Sequence, residues 1–212
     1  MAVCKELGFI NKALFCCLVV FLLFSCTKQE IKISLQPYST FDRLFMDTIA
    51  LTLRNAYNAS VIILPERSLP EKAFVNIKTP RYRADSMLVD LKKIKPVEVS
   101  YILGLTDKDI STTKRDGKGK ILSPEIRYKD WGIFGLGYQP GPACVVSTFR
   151  LKNSDPSLFL SRLKKVCIHE LGHNLGLKHC KNINCVMKDA VEKIQTVDAA
   201  GFNLCDNCKR KI

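Results

Sequence analysis

Histidine is scarce in this sequence, which has only three among 212 residues. All three lie between positions 169 and 179, so histidine-dependent chemistry is confined to that stretch. Tryptophan occurs once, and we find no internal repeat, so a repeat architecture is not expected. Acidic residues are also outnumbered, with 20 Asp and Glu against 33 Lys and Arg.

The net charge of +13 is the most unusual feature of the composition. An excess of this size is typical of proteins that bind nucleic acids or anionic membranes, and equally of a soluble, lysine-rich surface. The basic residues are scattered and no nucleic-acid-binding module accompanies them, which favours the soluble surface. We therefore expect no nucleic-acid partner. The hydrophobic fraction of 47% and the charged fraction of 25% are ordinary globular values, and the length fits one domain.

The N-terminus has the pattern of an export signal. Residues 13–24 form an unbroken apolar run, shorter than the roughly 20 residues of a membrane span. The run leads into L-F-S-C, which ends at Cys26 and resembles a bacterial lipoprotein box. We therefore expect residues 1–25 to be a signal peptide, with Cys26 lipidated and residues 26–30 forming a short tether. This predicts an exported, membrane-anchored lipoprotein on the cell-envelope or periplasmic side of a bacterial membrane. The alternative is an uncleaved anchor helix.

One stretch, H-E-L-G-H-N-L-G-L-K-H, contains all the histidines. His169 and His173 are four residues apart, so on a helix their rings lie on one face, within reach of one metal ion. Glu170 lies at the flank, where its carboxylate reaches a water without taking a ligand position. Gly176 can adopt the left-handed conformation that ends a helix, which allows His179 to turn back as a third ligand. Three protein ligands leave one position open on a tetrahedral ion, as in catalytic zinc sites.

Four cysteines follow the histidines as a C-x-x-x-x-C pair and a C-x-x-C pair: Cys180, Cys185, Cys205 and Cys208. These spacings suit a structural zinc site, but an oxidising compartment would favour two disulfides instead. Cys144 and Cys167 are expected to be small buried apolar side chains.

The motifs together resemble the archaemetzincin family of zinc metallopeptidases, in the metzincin clan. That family's signature is the long histidine motif, then Cys, four residues, Cys, one residue, Met, seventeen residues and C-x-x-C, and residues 169–208 match each element. The resemblance implies two zinc ions per chain and a peptide or protein substrate. It implies that Met187 forms a turn beneath the catalytic ion. The implied ligands are His169, His173 and His179 for the catalytic ion, and Cys180, Cys185, Cys205 and Cys208 for the structural ion.

Hydrophobic periodicity predicts alternating strands and helices. The predicted strands cover residues 31–35, 59–64, 97–105, 131–137 and 143–151, and the predicted helices cover 40–58, 84–94 and a long segment from 155–156 through the histidines. Residues 65–82 and 106–122 are predicted to be connections. The expected fold class is α/β: a zincin-like metzincin domain with a mixed sheet of four or five strands over the active-site helix. We expect an N-terminal subdomain over 31–176 and a small zinc-bound C-terminal subdomain over 177–212.

The sequence thus predicts a zinc-dependent peptidase in which Glu170 acts on a metal-activated water as general base and then as general acid. It leaves open whether the enzyme is an endopeptidase or an aminopeptidase. The alternative is a catalytically inactive zinc-binding lipoprotein on the same scaffold, which would have no need of Glu170. We expect a monomer that contacts the membrane only through its N-terminal lipid.

Overall fold

The computed structural model describes residues 30–39, 41–189 and 193–212, and Ile31–Ile212 form one compact unit. The strands are β1 (Lys32–Pro37), β2 (Ser60–Ile63), β3 (Phe74–Asn76), β4 (Pro80–Arg83), β5 (Tyr101–Thr106), β6 (Ile110–Thr112), β7 (Trp131–Ile133), β8 (Gly135–Gly137) and β9 (Ala143–Ser147). The helices are α1 (Arg43–Tyr57), α2 (Ala84–Ile94), α3 (Glu125–Tyr128), α4 (Pro156–Asn174), α5 (Ile194–Ala199) and α6 (Asp206–Lys209), with a 3₁₀ turn at Glu71–Ala73.

Five strands form the main sheet, in the order β2-β1-β5-β9-β8. The first four are parallel to their neighbours, whereas β8 runs antiparallel to β9 and forms one edge. The predicted fold class, a mixed sheet of four or five strands with helices packed on it, is therefore confirmed.

The central strands are buried on both faces. Side chains alternate along a strand, so Leu103 and Leu105 of β5 join a core with α1 and α4, whereas Ile102 packs with residues of α2. Strand β9 divides in the same way, with Val146 in the first core and Val145 in the second. Parallel strands that are covered on both faces have nearly continuous apolar sequences, and this pattern is why these strands could be predicted from the sequence.

Helices α1 and α4, which contribute to the same core as Leu103 and Leu105, each begin at a residue whose side chain caps the helix. The Asp155 carboxylate accepts a hydrogen bond from the Ser157 amide at 2.8 Å, and Pro156 occupies the first turn of α4, as predicted. Helix α1 begins later than predicted, because the Asp42 side chain caps it by accepting from the Leu44 amide at 2.8 Å.

A second sheet of four short strands, in the order β3-β4-β6-β7, was not predicted. Residues 65–82 and 106–122 were assigned to connections, yet they contain β3, β4 and β6. These strands have only three or four residues, and β4 alternates arginines with Tyr82, so they show no apolar run. The strand predicted over 131–137 is also divided at Phe134 into β7 of the small sheet and β8 of the main sheet.

Ion pairs join the small sheet to the loop after β9. Arg81 Nε donates to Asp109 Oδ2 at 2.8 Å, and Arg150 donates to both oxygens of Asp109 at 2.7 and 2.8 Å. A Cβ added to Gly132 of β7 would lie 2.2 Å from Cζ of Arg150, so the guanidinium rests directly on the strand. This contact fixes β7 immediately before it continues into the edge strand β8.

The predicted signal peptide over 1–25, the lipidation site Cys26 and most of the tether over 26–30 lie outside the described residues. Within the described ranges, no helix combines the length and the apolar character that crossing a bilayer requires. The predicted division at residues 176 and 177 stays a prediction.

Candidate active site

Helix α4 and the turn after it position the three histidines. His169 and His173 lie one turn apart near the C-terminal end of α4, which ends at Asn174. Gly176 has φ +89° and donates to the His173 carbonyl at 2.9 Å, while Leu177 donates to the Gly172 carbonyl at 2.9 Å. These bonds close the helix with a left-handed glycine, as predicted, and reverse the chain so that His179 returns to the other two rings.

The three imidazoles converge on one point. Each offers one nitrogen, and these three atoms lie within 4.8 Å of one another. His169 Nδ1 donates to the Val186 carbonyl at 2.9 Å, and His173 Nδ1 donates to the Leu177 carbonyl at 2.8 Å. Because a carbonyl only accepts, the proton of each ring is on Nδ1, and the two Nε2 lone pairs face each other at 3.0 Å. Such an arrangement is repulsive alone and suits two nitrogens that share a metal ion.

Burial keeps these rings in the form that binds metals. Burial, together with the smaller effect of the neighbouring His173, lowers the pKa of His169 to about 4. Burial likewise lowers the pKa of His173. Both rings are therefore neutral near pH 7, with their lone pairs available.

Glu170 is buried between α4 and the edge strand β8. A Cβ added to Gly135 would lie 2.6 Å from Cγ of Glu170, and one added to Gly137 would lie 2.8 Å from its carbonyl oxygen. The two glycines therefore allow β8 to lie directly against the helix. Burial also raises the pKa of Glu170 to about 8. A cation at the adjacent histidines would act in the opposite direction by favouring the carboxylate.

Met187 packs against helix α4 at Gly172, the residue before His173. It is fully buried, and a Cβ added to Gly172 would lie 2.4 Å from its sulfur. Its carbonyl accepts from the Cys180 amide at 2.8 Å, so the methionine also anchors the residue that follows His179.

The four C-terminal cysteines form a second cluster beside the first. Their sulfurs lie within 4.8 Å of one another, with distances of 3.8 Å from Cys180 to Cys205 and from Cys185 to Cys208. A disulfide needs about 2.05 Å, so these pairs are not bonded. Four thiolates about 2.3 Å from one tetrahedral zinc would be separated by about 3.8 Å, which is the observed spacing. A hydrogen bond from the Cys208 amide lowers the pKa of Cys205 to about 7, and this favours the thiolate that binds metal.

A pocket of about 60 Å³ opens next to His169 and Glu170. Its walls are largely aliphatic and come from β7, α4, the turn before Met187 and α5: Ile133, Val166, Val186, Val197 and Ala200. The cationic side chain of Lys165 also lines it. Arg162 of α4 holds α5 in place through two hydrogen bonds of 2.7 Å to Asp198.

The family model for peptidase family M54 matches residues 29–212. The chain belongs to this family. It is 33% identical over 181 residues to the archaemetzincin of Archaeoglobus fulgidus, an alignment that covers 85% of this chain and 98% of that protein. The archaemetzincin of Methanopyrus kandleri is 35% identical over 140 residues, covering 66% of this chain and 70% of that protein.

Solved archaemetzincin structures have the same fold. The crystal structure of the Methanopyrus kandleri protein superposes with a TM-score of 0.70 at 29% identity, covering 87% of this chain and 94% of that chain. The Archaeoglobus fulgidus protein, solved in complex with malonate, gives a TM-score of 0.68 at 31% identity over 86% of this chain and 100% of that chain. The chain is accordingly an archaemetzincin-type zinc metallopeptidase.

The structure brings together the same histidines and cysteines that the sequence predicted as ligands, but sequence analysis did not identify the pocket. Lys165, Arg162 and Asp198 were not singled out, because a charged residue on an amphipathic helix is usually exposed. A signal was nevertheless present, since Lys165 lies four residues before His169 and therefore on the same face of α4.

We expect that Gly135→Ala will weaken both the fold and the activity, because its Cβ would overlap Glu170. Overpacking of this kind typically costs about 1–3 kcal/mol. Thermal unfolding and peptide hydrolysis measure the two effects. Gly117→Ala is the matched control, since a Cβ there has no neighbour within 4 Å. If both variants match the unaltered protein, β8 does not pack on Glu170 as described.

Proposed function

We propose that His169, His173 and His179 hold the catalytic zinc of this metallopeptidase and that Glu170 is its general base and acid. The observation that carries the proposal is the convergence of the three imidazole nitrogens within 4.8 Å, with the buried Glu170 adjacent to them in the chain. Nitrogens at this spacing, with their protons held on the far side of two rings, fit a single zinc ion.

Glu170 is suited to move protons in this site. Zinc, when bound, supplies a Lewis acid that polarises the scissile carbonyl and lowers the pKa of water to about 7. Glu170 accepts a proton from the attacking water and then delivers it to the leaving amine. Burial beneath β8 limits the access of bulk water to its carboxyl group.

The edge of β8 supports a peptide as substrate. Among the described strands β8 pairs only with β9, so its other side presents free backbone donors and acceptors beside Glu170. An extended peptide can add to such an edge by main-chain hydrogen bonds. The aliphatic pocket next to His169 then receives a side chain that flanks the scissile bond.

We further propose a structural zinc ion at Cys180, Cys185, Cys205 and Cys208, which gives two zinc ions per chain. The 3.8 Å spacing of the sulfurs supports four thiolates on one ion better than two disulfides. All seven proposed ligands and Glu170 come from one chain, so a monomer suffices for activity.

The location of the enzyme is proposed from the sequence alone. The apolar run over 13–24 followed by L-F-S-C supports export, cleavage before Cys26 and lipid anchoring on the cell-envelope or periplasmic side of a bacterial membrane.

Glu170→Gln should keep the zinc and the fold but abolish most activity. General acid–base groups contribute a factor of about 10² to 10⁴, so hydrolysis of a cleavable peptide should fall at least that far. His173→Ala is the comparison: it should lose zinc from the catalytic site as well as activity. Undiminished turnover in Glu170→Gln would leave an inactive zinc-binding protein on this scaffold as the better account.

Replacing both Cys205 and Cys208 with Ser should lower the zinc content by one ion per chain and destabilise residues 177–212. Structural zinc contributes folding free energy, so the loss should appear as a lower unfolding temperature. Metal analysis and thiol titration of the unfolded, chelated protein provide the measurement. Four titratable thiols from this cluster are expected, and two intact disulfides would contradict the zinc site.

Cys26→Ser should release the protein from membranes or leave an uncleaved precursor, because the lipid is attached to that sulfur. Membrane fractionation and intact-protein mass measure the outcome. Ser25→Ala is a suitable control, because it changes the neighbouring position but keeps a small residue directly before Cys26. Unchanged mass and membrane partition in Cys26→Ser would contradict lipidation.

A further inference from the structure

The pocket beside the histidines contains one cation among aliphatic walls. Lys165 Nζ donates to the carbonyls of Val197 and Asp198 at 3.1 and 2.9 Å, at the C-terminal end of α5. An ammonium group has three N–H donors, and the third has no acceptor among the described residues. Lys165 is also one of the residues that line the pocket.

Within the part of the chain that the structure describes, no carboxylate is available to neutralise the charge of Lys165 alone, because the nearest one is shared with an arginine. Asp198 is the nearest acid, but both of its carboxylate oxygens accept 2.7 Å hydrogen bonds from Arg162. The side chains of Lys165, Arg162 and Asp198 therefore carry a net charge of +1 together. Burial lowers the pKa of Lys165 from its ordinary value, while Asp198 opposes that shift. The negative ends of two carbonyl dipoles face Nζ, which favours its positively charged ammonium form.

We propose that Lys165 makes this enzyme prefer substrates with a carboxylate next to the scissile bond. The inference rests on the proposed function, since the same pocket is lined by His169 and Glu170. A glutamate side chain suits both parts of the pocket, because its methylenes contact Val166 and Val197 while its carboxylate meets Lys165. The C-terminal carboxylate of a short peptide offers the same chemistry.

A purely structural role for Lys165 makes a different prediction. A cation that only caps the C-terminus of α5 stabilises the pocket wall equally for every substrate. Its removal would then lower activity on all peptides by one factor. A carboxylate-binding role changes the ratio between substrates instead, so the ratio is the decisive quantity.

The test compares matched peptides that differ only as Glu against Gln at each position flanking the cleaved bond, and as free acid against amide at the C-terminus. A charge-assisted hydrogen bond predicts that kcat/KM for the carboxylate form exceeds that for the amide form by about tenfold or more. The Glu/Gln pairs and the acid/amide pair separate the two sources of the carboxylate. Lys165→Met should reduce the ratio to about one and leave the amide peptides within about threefold, whereas Lys165→Arg should keep most of the preference.

Lys164→Met is the matched control, because it removes the neighbouring positive charge without touching the pocket lining. Equal rates for carboxylate and amide peptides in the unaltered protein, or an equal loss on all peptides in Lys165→Met, would overturn the inference. Binding of N-acetylated glutamyl and glutaminyl dipeptide amides, followed by NMR, is independent of turnover. If no peptide is cleaved, the proposed function fails, while tighter glutamyl binding that Lys165→Met abolishes would still support the Lys165 inference. Equal affinity for the glutamyl and the glutaminyl dipeptide amide would overturn the Lys165 inference, whether or not any peptide is cleaved.

Discussion

The direct contact between helix α4 and the edge strand β8 is the constraint on which the site depends. No side chain of β8 separates the two elements at Gly135 and Gly137. A Cβ added to either glycine would lie less than 3 Å from an atom of Glu170. This contact buries Glu170, brings a free strand edge beside it and forms one wall of the adjacent pocket. The ion pair between Arg150 and Asp109 supports it from the other side by holding Gly132 of the preceding strand. The small sheet therefore fixes the strand that covers Glu170.

The two side-chain clusters are joined through consecutive residues. His179 belongs to the histidine group and Cys180 to the cysteine group. The Cys180 amide donates to the Met187 carbonyl, and Met187 packs against Gly172 of α4. A metal ion at the cysteines would therefore fix the backbone from which the third histidine projects. This would explain how the C-terminal segment, whose described part contains the short helices α5 and α6, holds the His179 ring in position.

Sequence reasoning succeeded where a chemical requirement is local in the chain. His169 and His173 follow from helical spacing, and Gly176 follows from the need to reverse the chain. The buried strands β5 and β9 follow from their apolar runs. It failed for β4 and β6, where Arg81 and Asp109 stabilise the small sheet by pairing across strands, since charged residues in short segments resemble a loop. It also missed Lys165, whose role depends on α5, a helix that lies about thirty residues later in the chain. Contacts of that kind are decided by tertiary packing and leave no periodic signal.

Burial shifts both His169 and Glu170 toward their neutral forms. Burial lowers the pKa of His169 from 6.5 to about 4 and raises that of Glu170 from 4.5 to about 8. Below pH 6.5, His169 becomes protonated in the unfolded chain while it stays neutral in the folded protein. Above pH 4.5, Glu170 becomes ionised in the unfolded chain while it stays protonated in the folded protein. Each shift therefore favours unfolding in its own pH range. Between pH 4.5 and 6.5 both penalties apply together. A cation at the three imidazoles would bind the neutral rings and favour the ionised form of Glu170, so the free energy of metal binding would offset both penalties. The burial that is costly in the absence of metal is thus also the feature that keeps the His169 ring in the neutral form that binds metal.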